Sequence, residues 1–103
     1  MKLKELNVKW AYRSTRESPK QLKAKGLQPQ AQTPNDKAIL SGIGIEGPVI
    51  WFADSEEYAE RMNKEGIVVR FPWPSDATIV STTQGTYVTQ TPIKPQDIQI
   101  KPD

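Results

Sequence analysis

The chain has 103 residues, 36% of them hydrophobic, with nine prolines and a formal net charge of +2; that is room for one domain, spanning 1–103, with a small core and much loop. It contains no cysteine and no histidine, which excludes disulfides, thiol chemistry, Ser-His-Asp catalysis and a Cys/His zinc centre. No apolar run approaches the roughly 18 residues of a membrane span, and "MKLKELNVKW" lacks the apolar stretch of a signal peptide, so a soluble, cytoplasmic protein without membrane contact is expected.

The charge is uneven. Met1 to Lys25 holds eight basic residues against two acidic ones, whereas Glu46 to Glu65 is acidic. A basic N-terminal face attracts phosphates; a solvated surface is the plainer reading of the same residues.

"NVKWAYRS" alternates Val8, Trp10 and Tyr12 with Asn7, Lys9 and Arg13. It predicts a first strand that buries the first set, with Arg13 at or near its end. "SPKQLKAKG" is punctuated as a short helix. Ser18 caps it, Pro19 opens it, Gln21 completes a capping box, and Gly26 ends it in the left-handed conformation. "LQPQAQTPND" reads as a loop. "KAILSGIGIEG" reads as a loop or a bulged strand. Its Gly42, Gly44 and Gly47 have dinucleotide-fingerprint spacing but lack the strand and long helix which that fingerprint needs.

"PVIWFA" is the continuous apolar run of a central strand covered on both faces. Trp51 and Phe52 then point to opposite sides, one for the core and one for a cleft. Asp54 or Ser55 caps the next helix, and Asp54 with Glu57 has capping-box spacing. Tyr58, Ala59 and Met62 form its inner stripe, and Gly66 ends it. "IVVRFPW" is a strand cut by Pro72; "SDATIVSTTQG" gives a short strand and a turn at Gln84-Gly85; "TYVTQT" alternates as a strand; "PIKPQDIQIKPD" closes with a turn and a short strand pointing Ile98 and Ile100 together. Arg70 can reach a phosphate or make a surface salt bridge. Trp73, between two prolines, is a partner contact or a sheet-edge cover. The sum is α+β: a small, twisted, mainly antiparallel sheet with two short helices.

Three stretches in order resemble the motifs of the ADP-ribosyltransferase-like superfamily. "WAYRSTRESPKQLKAKGLQP" resembles its first motif, a strand ending in His-Gly-Thr or Arg-Gly/Ser-Thr followed by a short helix ending in Gly-Leu. "GPVIWFADSEEYAERM" is similar to the second motif of the poly(ADP-ribose) polymerase branch, and "GTYVTQTPIKPQDIQI" to the third, a strand, a proline-bearing turn and a last strand. The likeness spans nearly the whole chain and implies a minimal version of that fold, with NAD as substrate and no metal.

The resemblance also assigns roles. The family signature is His-Tyr-Glu or Arg-Ser-Glu, and Arg13, Trp51 and Thr86 stand at its three positions. Arg13 implies a fork of donors for a phosphate or ribose; Ser14 and Thr15 imply hydrogen bonds near the nicotinamide amide. Trp51, Phe52, Tyr58 and Tyr87 imply aromatic surfaces around the nucleotide. Thr86 carries no charge where the family has Glu, which removes about 3–4 kcal/mol of transition-state stabilisation. The implied activity is slow mono-ADP-ribosyl transfer to a protein or nucleic-acid target. Two other readings stand beside it. One is a non-catalytic nucleotide- or protein-binding module of the same fold, such as a phage or accessory bacterial protein acting on a host partner. The other is an RNA 2′-phosphotransferase-like enzyme, disfavoured by the lack of histidine.

Overall fold

A computed structural model describes residues 9–81 and 83–100. Val8, expected in the first strand, lies outside the described residues. The fold is α+β. Six strands, β1 (Trp10–Thr15), β2 (Ile50–Ala53), β3 (Ile67–Pro72), β4 (Thr78–Ser81), β5 (Thr86–Thr89) and β6 (Gln99–Ile100), form one antiparallel sheet in the order β4-β5-β2-β1-β3-β6. Three helices accompany it: α1 (Pro19–Lys25), α2 (Pro34–Leu40) and α3 (Glu56–Met62). None of them is long and apolar enough to cross a membrane.

Side chains alternate across each strand, so the sheet has two interiors. One face packs Ala11, Ile50, Phe52, Val69 and Phe71 under Leu22 of α1, Leu27 and Ile93. The other gathers Trp51 and Val88 with Leu40 of α2, Ile45, Val49 and Val80. Both interiors meet at β2, the central strand expected of "PVIWFA".

The first strand buries the opposite face from the one its alternation predicts. Ala11 is fully buried, whereas Trp10 and Tyr12 are half-buried. The reason is volume. Ala11 pairs with Phe71, and its methyl leaves room for the edge-to-face contact of Phe52 and Phe71, whose ring centres lie 5.8 Å apart. A larger side chain there would overpack the core.

Helix punctuation is realised with corrections. Ser18 and Gln21 form the capping box of α1. Gly26 stops it at φ 69° and ψ −155°, outside the left-handed helical well and in a region open essentially to glycine alone. The loop predicted over "LQPQAQTPND" instead starts α2. Thr33 and Asp36 form a second capping box with Pro34 at the first helical position, and "SGI" continues it as a short 3₁₀ turn. Ser55, not Asp54, caps α3 by accepting from the Tyr58 amide. Ala59 is buried there, but Met62 is 41% exposed. The helix stops at Asn63, and Gly66 lies in the following turn.

β1 pairs with β3 at six positions and β2 with β5 at four, yet β1 and β2 share a single registered pair, Tyr12 with Ala53. The sheet is therefore two well-laddered halves joined along a short seam. On the outer edge Asp76 ties the β4–β5 hairpin. Its carboxylate accepts from the Thr89 hydroxyl and, at 3.0 Å, from the Gln90 amide.

Two measurements follow from this packing. A Cβ on Gly26 would collide with the Ile93 carbonyl, so Gly26→Ala should cost about 3 kcal/mol from strain and overpacking, read as a lower urea midpoint at unchanged slope. Burial acts to raise the Asp76 pKa, but hydrogen bonds from Thr89, Gln90 and Thr91 outweigh it, leaving a net depression. A depressed carboxylate stabilises the fold above its unfolded value of about 3.9 and loses that contribution as pH falls through the lower folded value. Asp76→Ala should cost about 1–2 kcal/mol at pH 7, and the gap to wild type should close in urea melts carried down toward pH 2.

Candidate ligand cleft beside the β1–β2 seam

Where β1 ends, the chain leaves the sheet and turns into α1 through "RESP". A cavity of about 610 Å³ opens there, lined by residues 13–17 together with Gln21, Lys25, Gln28, Gln30 and Asn63. Its size is that of a small-molecule site. Three cations, Arg13, Arg16 and Lys25, face one carboxylate, Glu17, with several amides between.

Arg13 is the anchor. Its Nη1 donates to the Trp51 carbonyl at 2.7 Å across the seam, while its Nε is buried with no hydrogen-bond partner. Burial lowers its pKa from the ordinary arginine value, and the charge of Glu17 acts in the opposite direction. The guanidinium is thus a desolvated cation with donor capacity left over. Ser14 and Thr15 are committed locally: the Ser14 hydroxyl donates to the Asn63 carbonyl at 2.6 Å, and Thr15 Oγ1 accepts from the Glu17 amide at 3.3 Å. Gly66 lets the α3–β3 turn close on this strand end, since a Cβ there would lie 2.6 Å from Ser14 Oγ and 2.7 Å from the Thr15 carbonyl oxygen. Arg16 meets Glu65 of the same turn at 3.5 Å, both exposed; such pairs hold little energy.

The other expected site residues stand elsewhere. Trp51 projects into the α2-side interior with Val88 and Leu40. It touches the cleft system only through its carbonyl. Phe52 is fully buried in the main core, with Tyr87 stacked on it at 5.7 Å and Trp73 edge-on at 5.1 Å. Trp73, expected as a partner contact or a sheet-edge cover, is half-buried in this aromatic group, with Lys9 Nζ 3.9 Å from its ring centre. Tyr58 lines a separate cavity of about 310 Å³ with Asp54, Arg61 and Gln84. Thr86 is buried opposite Ala53. The structure therefore gathers Arg13, Ser14 and Thr15 in one cleft and leaves Trp51, Phe52, Tyr58, Thr86 and Tyr87 out of its lining.

One coincidence joins the three signature positions. Arg13 Nε, Trp51 Nε1 and Thr86 Oγ1 are the buried side-chain polar atoms without a hydrogen bond among the described residues. Each such atom costs about 1–3 kcal/mol if nothing meets it, and orphans of this kind call for a specific explanation. Gln28, Gln30, Lys25 and Asn63 were not singled out by sequence reasoning. The alternating "LQPQ" after Gly26 was the available signal for the two glutamines, and an isolated glycine after "NKE" for the close approach at Gly66.

No protein-family model matches this sequence, and no curated protein matches it.

The orphaned groups separate by stability. Arg13→Met strips the Trp51 carbonyl of its donor and should lower stability by about 1–3 kcal/mol. Thr86→Val removes an unpaired hydroxyl at constant volume and should be neutral or stabilising by up to about 1 kcal/mol. Urea unfolding of both variants gives the comparison.

Proposed function

We propose that this chain is a minimal ADP-ribosyltransferase-like protein that binds NAD, or a related nucleotide carrying a pyrophosphate, in the cleft at the end of β1. The observation that supports this most is Arg13: a half-buried guanidinium at a polar, net-positive cavity, with its Nε enclosed and unmatched by any protein acceptor. A pyrophosphate supplies the acceptors it lacks, and Arg16 and Lys25 add positive charge on the same walls. The order of sequence motifs supports the same reading.

In this proposal binding is the principal property and transfer is slow. Transfer would break the nicotinamide–ribose bond, with nicotinamide leaving on the bonding electron pair and a nucleophile on the target capturing the ribose carbon. Positive charge develops on the ribose as that bond breaks, and a nearby carboxylate stabilises it. Thr86 offers none, and it lies outside the cleft lining. That observation favours the second reading, a nucleotide-binding module that does not turn over.

The test is an amide-shift titration with NAD by NMR, followed by assay of the same sample for released nicotinamide. Saturable shifts at Arg13 to Glu17 are expected, weakened about tenfold or more in Arg13→Lys, which keeps charge but loses the fork. Nicotinamide release above the buffer rate identifies a transferase; saturation without release identifies the module. No shift at millimolar NAD, ADP-ribose or ADP sinks both.

A further inference from the structure

On the opposite face of the sheet from Phe52 and Phe71, a second cavity of about 460 Å³ is lined by Tyr12, Glu56, Val68, Val69, Arg70, Gln99 and Ile100. Its polar wall is one cross-strand row: Tyr12 pairs with Arg70, and Arg70 pairs with Gln99. Phenol, guanidinium and amide thus stand side by side on β1, β3 and β6.

Arg70 is held there in one orientation. Its guanidinium carbon lies 4.2 Å from the ring centre of Trp10. Its Nε and Nη2 both donate to Gln99 Oε1, at 2.9 and 2.7 Å. A stacked and pinned guanidinium has already lost most of the rotamer freedom that binding would remove. Its partner in that pinning is a neutral amide, so orientation comes without neutralisation. Among the described residues Arg70 makes no ion pair, its Nη1 has no hydrogen bond, and neither does the Tyr12 hydroxyl.

We propose that this cavity is a binding site for a small monocarboxylate with an apolar body. The open Nη1–Nη2 edge matches a planar carboxylate in two-point geometry. The Tyr12 hydroxyl stands next in the row to donate a further bond, and Val68, on the same face as Arg70, bounds the space for a short aliphatic or aromatic body. A phosphate is not planar and has no apolar body to set against Val68, so the site favours the carboxylate. The two cavities share no lining residue, and this inference stands whether or not the cleft binds a nucleotide.

The experiment is an amide-shift titration of the whole chain with sodium benzoate and sodium isovalerate, with sodium phosphate and sodium chloride as controls. Saturable shifts at Tyr12, Arg70 and Gln99 are expected for at least one carboxylate and for neither control. Arg70→Lys should weaken binding about tenfold or more, and Tyr12→Phe severalfold, with circular dichroism and urea midpoint establishing that both variants fold. Shifts that match those in chloride, phosphate binding as tight as the carboxylates, or carboxylate affinity unchanged in folded Arg70→Lys would each overturn the proposal.

Discussion

Across the middle of the sheet, β1 and β2 share one paired position, Tyr12 with Ala53, and one side-chain tie, the Arg13 guanidinium on the Trp51 carbonyl. Everything around the cleft depends on that join. A full ladder would carry β1 flush against β2 and leave no opening beside residues 13–15. With no join, the β4-β5-β2 and β1-β3-β6 halves would keep their own hydrogen bonds and be held to each other by side-chain packing, chiefly the shared core of Ala11, Ile50, Phe52, Val69 and Phe71. A charged side chain suits this place. It bridges a gap that backbone groups do not span, and its desolvated cation remains available to an anion on the open side.

The same strand serves two surfaces because its residues alternate. Ala11 goes to the main core and Arg13 to the cleft, while Trp10 and Tyr12 go to the other side with Arg70. The two guanidiniums flanking β1 are treated differently. Arg13 is half-buried with its Nε enclosed and without a partner, so its charge is expensive and responsive to a ligand. Arg70 is half-exposed, stacked and pinned, so its charge is cheap and its geometry fixed. Neither has a salt-bridge partner among the described residues.

The elements that read correctly from sequence are those whose signal is local. Ser18, Pro19 and Gln21 wrote α1 without reference to the rest of the fold, and the apolar run of β2 declared a strand covered on both sides. The second capping box, Thr33 with Asp36, was equally local. It was hidden because the glutamines, prolines and glycines around it have the composition of a loop. The face of β1 was not legible, since hydrophobicity favours burying Trp10 and Tyr12, and only the cross-strand rings of Phe52 and Phe71 require Ala11 in their place. Of the cleft, Arg13, Ser14 and Thr15 were visible. Gln28 and Gln30 had only the alternation of "LQPQ" to mark them, and Asn63 arrives from a distant part of the chain with nothing in its own neighbourhood to announce it.

The central position of β1 has a consequence for how the molecule is made. Synthesis delivers β1 first, but its neighbours are Ala53 and the stretch from Ile67 to Pro72. During elongation the strand has no partner until β2 is made, and its main ladder waits for β3. Contacts of such sequence separation carry a loop-closure cost that local helices avoid. α1 and α2, each with its own capping box, can flicker into shape early, yet the surface they cover is assembled late. The nascent chain therefore carries "WAYRST" as an unsatisfied strand, and the polar Arg13, Ser14 and Thr15 within it break an aromatic segment that would otherwise be prone to pair with a neighbour on the ribosome.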